Sequence, residues 1–200
     1  MAETLRLFVA LELPDPLLEA LLGVQERLRA AAPPRAVRWS AAAGIHLTLK
    51  FLGETPAARQ EAIVEALRRA AVGHGPLELR AEGLGCFPNP SRPRVIWVGL
   101  GGDLPALAAL QEAVEAALGP LGFPREGRPF SPHLTLGRVR REAYAADVKA
   151  LGKLMANTTA GEVGRWRADS LSLMHSELRP DGARYTRLAE IPLRHPPQAP

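Results

Sequence analysis

The stretch SPHLTLGRV at residues 131–139 decides how this chain is read, because its core has already occurred once. His46-Leu47-Thr48-Leu49, inside GIHLTLKFLG at 44–53, returns as His133-Leu134-Thr135-Leu136. The copies begin 133 − 46 = 87 residues apart in a chain of 200. In a β-strand successive side chains point to opposite faces. His46 and Thr48 therefore share one face and Leu47 and Leu49 the other, and the same parity joins His133 to Thr135 and Leu134 to Leu136. Each copy offers an imidazole and a hydroxyl on one side and two apolar anchors on the opposite side.

The surroundings of the two copies alternate between strand and helix signals. Leu5–Leu13 reads as a strand stopped by Pro14 and Pro16, and Leu17, Leu18, Leu21, Leu22 and Leu28 recur at helical spacing as far as Pro33-Pro34. A short strand at Val37–Trp39 precedes the first motif strand, Ile45–Leu52, which Gly53 closes. Thr55-Pro56 reads as the cap and first residue of a helix reaching Ala71. Strands at Leu77–Phe87 and Arg94–Leu100, a helix at Asp103–Leu118, the second motif strand at Phe130–Val139 and a helix at Glu142–Met155 follow. Arg167–Leu178 reads as one long strand, RPDG at 179–182 as a turn, and Arg184–Leu193 as the last strand. The tail, 195–200, reads as disordered. Two comparable halves result, each holding one His-Leu-Thr-Leu strand, with no linker between them.

Composition bounds the function classes. Two hundred residues with 46% apolar and 23% charged side chains suit an ordinary globular protein. The net charge of +4 suits a polyanionic partner without making a basic tail. Only Lys50, Lys149 and Lys153 are lysines, so 25 − 3 = 22 basic residues are arginine, the side chain that grips phosphate with a planar fork. Cys86 is alone, so no intrachain disulfide forms. No stretch reads as a signal peptide or membrane span, and a cytoplasmic protein is expected.

If the halves are related by an approximate two-fold axis, the polar faces meet across a cleft. Two histidines and two hydroxyls are then a phosphodiester chemistry: one neutral imidazole takes a proton from the attacking oxygen, and one imidazolium protonates the leaving oxygen. The threonine hydroxyls donate to non-bridging phosphate oxygens. No metal or other cofactor is required, and no carboxylate or cysteine stands at a spacing that would complete a zinc site.

Paired His-x-Thr-x motifs 80–90 residues apart mark the two-histidine phosphoesterase superfamily, and this chain resembles its RNA 2′,3′-cyclic phosphodiesterases, also called 2′-5′ RNA ligases. RLFVALELP, HLTLKFLG, PRVIWVGL, FSPHLTLGRV and LSLMHSELRPDGARYTRL match that family's successive motifs from the first strand to the last. The resemblance implies an α+β, bilobal fold over 1–194, each pseudo-symmetric lobe an antiparallel sheet with outer helices, around a central cleft. It implies His46 as proton donor, His133 as proton acceptor, and Thr48 and Thr135 as phosphate-holding groups. It also implies a phosphate- or RNA-binding role for Arg138. Strand parity points Arg138 away from His133, so that role needs the strand to end or bulge near Gly137. Parity does place Lys50 with His46, which makes it a candidate contact to the RNA backbone. Phe8 shares parity with Arg6 and Ala10, which leaves a place facing the cleft open to it, but it reads first as a core residue. Trp39, Trp97 and Trp166 are candidates for base stacking but more commonly pack internally.

The implied function is hydrolysis of a terminal 2′,3′-cyclic phosphate on RNA to a 2′-phosphomonoester, together with a reversible 2′-5′ RNA ligase activity, by a monomer without an obligate protein partner. Two alternatives stay open. One is a cyclic phosphodiesterase for small nucleotides or 2′-5′ oligoadenylates; the other is an RNA-end-binding protein without catalysis.

Overall fold

A computed structural model describes residues 3–179 and 182–194. Its nine strands form one curled antiparallel sheet. The first half supplies β1 (Thr4–Leu11), β2 (Val37–Trp39) and β3 (Leu47–Pro56), with helices α1 (Asp15–Ala31) and α2 (Gln60–Ala71). β4 (Leu77–Phe87), β5 (Val95–Gly102), α3 (Leu104–Leu118), β6 (Leu134–Val139) and α4 (Ala145–Asn157) follow, then β7 (Glu162–Ala168), β8 (Ser170–Arg179) and β9 (Gly182–Pro192). The sheet order is β7-β4-β5-β6-β3-β1-β8-β9, with β2 added beside β6. Read from its centre, β3 and β6 are neighbours, β1 and β5 flank them, and β8 and β4 come next. That is the two-fold arrangement expected from the repeated motif.

The two motif strands meet at one point. β3 and β6, the two motif strands, share the single pair Leu47–Leu134 and diverge from it, one into each lobe. Both leucines are fully buried, so their side chains fix which face of each strand is interior.

Helices cover the outer faces, and two of them change sides. α1 follows β1 in the first lobe but packs against β6 and β7 of the second, with Leu17, Leu21, Val24 and Leu28 buried at helical spacing. α3 follows β5 in the second lobe and packs against β3 and α2 of the first. Each half thus roofs the other. The main core runs continuously beneath both lobes, from Leu7, Val9 and Leu11 to Ile96, Val98 and Leu136. β1 is buried on both faces near the cleft, where Phe8, Ala10 and Met174 form a second, smaller cluster.

Several expected boundaries move. The expected strand 167–178 is two strands: β7 pairs with β4 and β8 with β1, at opposite ends of the sheet path, and the chain turns at Asp169. No Gly or Pro marks that turn; Arg167 Nε donates to the Asp169 carboxylate, and Leu193 N donates to the Asp169 carbonyl. Thr55 does not cap α2. It is a buried residue of β3 whose hydroxyl donates to the Gly53 carbonyl, and β3 continues past Gly53 to Pro56. β6 starts at Leu134, not Phe130, so His133 stands immediately before its strand, as His46 does before β3. The expected 195–200 tail, with His195, and the two central residues of the RPDG turn, 180–181, lie outside the described residues.

Candidate active site

The Leu47–Leu134 pair sets the geometry of the site. One step to either side in antiparallel register, His46 falls opposite Thr135 and His133 opposite Thr48. Each histidine therefore faces the threonine of the other motif. The two histidines become diagonal neighbours, a spacing of roughly 7–8 Å. Since Leu47 and Leu134 point into the core, all four polar side chains belong to the opposite, cleft face.

Beyond the threonines both strands bulge at equivalent residues. Trp97 pairs with Thr135 and Ile96 with Gly137, leaving Leu136 as an extra residue on β6. Ala10 pairs with Thr48 and Val9 with Lys50, leaving Leu49 extra on β3. A bulge turns two successive side chains to one side and reverses parity after it. Both strands accordingly show the same sequence of exposure: leucine buried, threonine partly open, two residues buried, one exposed.

The parity reversal places Arg138 on the face of Thr135 and takes Lys50 off it. Arg138 meets its stated condition, since the bulge at Leu136 returns it to the face of Thr135, where it is exposed. Lys50 was expected beside His46. Instead it is only 2% exposed, with Nζ donating to Glu115 Oε2 at 2.6 Å and to the Pro124 carbonyl at 2.7 Å. The bulge at Leu49 sends it inward, away from the cleft. Phe51 takes the outward position instead, 56% exposed. Phe51 was missed, although it lies five residues after His46 as Arg138 lies five after His133. The 87-residue offset contained that signal.

Aromatic rings back both histidines. Phe8 stacks on His46 with ring centroids 4.6 Å apart, and Tyr185 meets His46 edge-on at 5.3 Å. Phe87 meets His133 edge-on at 4.9 Å and lies 5.1 Å from Trp97. Tyr185 belongs to the closing motif LSLMHSELRPDGARYTRL but was given no role, Phe87 carried no distinguishing signal, and Phe8 serves both as packing and as a wall for His46. The tryptophans pack: Trp166 is buried, Trp97 lies on Phe87, and Trp39 sits beneath the Arg29 guanidinium.

The rings differ at Nδ1. His133 Nδ1 lies 2.7 Å from the Ser131 carbonyl, an acceptor, so this nitrogen carries the proton and Nε2 is left as a lone pair. His46 Nδ1 is buried with no hydrogen-bond partner among the described residues. Burial, with the Arg138 charge adding to it, lowers the His46 pKa from 6.5 to about 4. His133 is also lowered by burial; the Ser131 hydrogen bond opposes this and the Arg138 charge assists it. One guanidinium thus acts on both rings.

This architecture and its motif pair match the family model described as LigT like Phosphoesterase over residues 11–97 and 103–185. The chain belongs to that family. It is 38% identical to the RNA 2′,3′-cyclic phosphodiesterase of Aeropyrum pernix over 73% of this chain and 80% of that one. The RNA 2′,3′-cyclic phosphodiesterase of Archaeoglobus fulgidus is 33% identical over 92% of this chain and 98% of its own. The crystal structure of Escherichia coli LigT complexed with 3′-AMP superimposes with a TM-score of 0.77 at 26% identity, covering 96% of this chain and all of that one.

In this LigT-like chain, positive charge collects on the second lobe. Arg38 on β2 pairs directly with Arg138 on β6, and Arg140 and Arg94 follow at the strand ends. None of these four exposed arginines has a carboxylate partner among the described residues, whereas Arg29, Arg80, Arg165, Arg167 and Arg179 are all paired. Among the described residues no group of three or more His, Cys, Asp or Glu could hold a metal ion. Cys86 is buried, and burial raises its thiol pKa. No helix among the described residues is long and apolar enough to cross a membrane.

Proposed function

We propose that this chain opens the 2′,3′-cyclic phosphate at an RNA end, leaving a 2′-phosphomonoester. Water attacks phosphorus while His133 Nε2 takes its proton. The bond from phosphorus to the 3′ oxygen breaks, and His46 Nε2–H supplies the proton that makes the 3′ hydroxyl. Thr48 and Thr135 donate to the non-bridging oxygens, and Arg138 balances the charge gathered there.

The unequal treatment of the two Nδ1 atoms carries the assignment of roles. A histidine acting as base through Nε2 must already hold a proton on Nδ1, and His133 has the Ser131 carbonyl to receive it. His46 Nδ1 has no such acceptor among the described residues, so nothing there holds Nε2 in the lone-pair form that a base needs. Its lowered pKa means that the phosphate anion must draw in the second proton on binding. Phe51 offers an exposed ring on which a terminal base can stack, and the Arg38–Arg138 pair tracks a phosphate backbone. Those arginines reach beyond the needs of one nucleotide, which favours RNA over a mononucleotide substrate. With an RNA 5′ hydroxyl attacking in place of water, the same base takes its proton, the 3′ oxygen again leaves with the proton of His46, and a 2′-5′ linkage forms. A cytoplasmic monomer acting without a cofactor fits the lone buried cysteine and the two-histidine scheme.

The test is an oligonucleotide ending in a 2′,3′-cyclic phosphate, with product analysis. A 2′-phosphate is expected; a 3′-phosphate or no turnover overturns the reading. A substrate whose leaving oxygen departs without a proton should rescue His46→Ala but not His133→Ala. Equal rescue would remove the division of roles.

A further inference from the structure

In both lobes a buried glutamine from the crossed-over helix reaches the carbonyl of the bulged residue. Gln25 on α1 is 2% exposed, and its Nε2 donates to the Leu136 carbonyl at 2.9 Å and to the Ser40 carbonyl at 2.8 Å. Gln111 on α3 is 9% exposed, and its Nε2 donates to the Leu49 carbonyl at 3.5 Å and to Glu115 Oε1 at 3.2 Å. Leu136 and Leu49 are the two bulged residues. The correspondence is close: α1 leaves the first lobe to serve the second motif, and α3 leaves the second lobe to serve the first.

The two clamps differ in their surroundings. At Leu136 the carbonyl also accepts the Ser40 N–H, so Gln25 ties the end of β2 to the bulge of β6. A Cβ at Gly137 would stand 2.7 Å from Val37 Cγ1, so β2 closes directly over the bulge. At Leu49, the matching position is Lys50, whose ammonium binds Glu115 and thereby joins the Gln111 clamp. The contact from Gln111 is longer, and the ion pair supplements it.

We infer that Gln25 and Gln111 are positioning residues: each amide holds the bulge of the opposite lobe's motif strand, and the bulge turns Arg138 or Phe51 to the cleft. Without the amide, each bulged carbonyl loses a buried donor, which weakens the bulge against the regular pairing that would absorb it. Absorbing it reverses parity and takes the fifth residue after the histidine off the cleft face. The inference rests on the phosphodiesterase reading for its activity measurement alone.

Paired mutant cycles test it, read by calorimetric binding of 2′-AMP and by kcat/KM on the cyclic-phosphate oligonucleotide. Gln25→Met keeps the shape of the side chain and removes its donors. It should weaken 2′-AMP binding about tenfold in the wild-type background and less than about twofold when Arg138 is already alanine. Gln111→Met should lose its effect in a Phe51→Ala background and keep it in Arg138→Ala. A merely structural loss would be the same in every background, and such additivity in both cycles overturns the inference.

If Gln25→Met does not fold, Gln25→Glu answers the same question. Its carboxyl, when protonated, restores one donor, and its ionised form restores none. Affinity relative to wild type should therefore recover as pH falls, and a flat ratio overturns the inference. Wild-type protein that fails to open the cyclic phosphate yet gives non-additive 2′-AMP cycles refutes the activity alone. Additive cycles with hydrolysis intact refute the positioning alone.

Discussion

Phe8 lies on His46 as a stacked ring, with centroids 4.6 Å apart and planes inclined by 27°. One face of the imidazole is thereby closed to water, and loss of water is the leading reason that its pKa is about 4. Phe8→Ala should raise that pKa toward the ordinary histidine value of 6.5, followed by proton NMR titration of the ring. Since Phe8 is buried, the same change should cost about 3–5 kcal/mol of stability. An unchanged pKa would assign the depression to Arg138 instead.

A histidine held neutral in the fold makes the protein sensitive to acid. The unfolded chain takes up a proton as pH falls through 6.5, while folded His46 resists until about 4. Its contribution is therefore present above pH 6.5 and lost on the way down to pH 4, roughly 3 kcal/mol at most. Denaturation midpoints for His46→Gln should fall less between pH 7.5 and 4.5 than those of wild type. His133, lowered in the same direction, leaves a residual slope.

Saturation with 2′-AMP should lift the His46 pKa, because a bound phosphate favours the imidazolium. The ring titration repeated with the ligand measures this directly. No upward shift would show that His46 cannot act as the proton donor.

Lys50→Met should cost about 3–5 kcal/mol in chemical denaturation, since it leaves Glu115 charged and buried without its partner. Adding Glu115→Leu should recover most of the loss. Arg138→Ala, at an exposed position, should stay within about 0.5 kcal/mol of wild type while weakening 2′-AMP binding. That contrast separates the interior cation from the cleft cation.

Turnover should be unaffected by EDTA, because the two imidazoles supply both proton transfers. Loss of activity that one divalent ion restores would require a different mechanism.

Much of this was legible in the motif copies. Strand parity put His46, Thr48, His133 and Thr135 on one face, opposite the buried Leu47 and Leu134. Parity failed two residues further on, at Lys50. A bulge depends on the partner strand and on amides from helices remote in sequence, so the strand's own residues do not encode it. The chain turn at Asp169 was missed for a related reason: a side-chain carboxylate and a distant backbone N–H make it, in place of glycine or proline. Phe51 was hidden because an aromatic in a strand ordinarily reads as core. Only the offset between the copies, which pairs it with Arg138, distinguishes it.

The exchange of α1 and α3 between lobes has a mechanical consequence. A two-lobed enzyme joined by a simple strap can open and shut on its substrate like a jaw. Here each lobe is gripped by a helix rooted in the other, and the grips sit directly behind the Leu49 and Leu136 bulges. Parting the lobes would pull Gln25 off one catalytic strand and Gln111 off the other. A jaw-like opening would therefore have to break both grips at once, which opposes it.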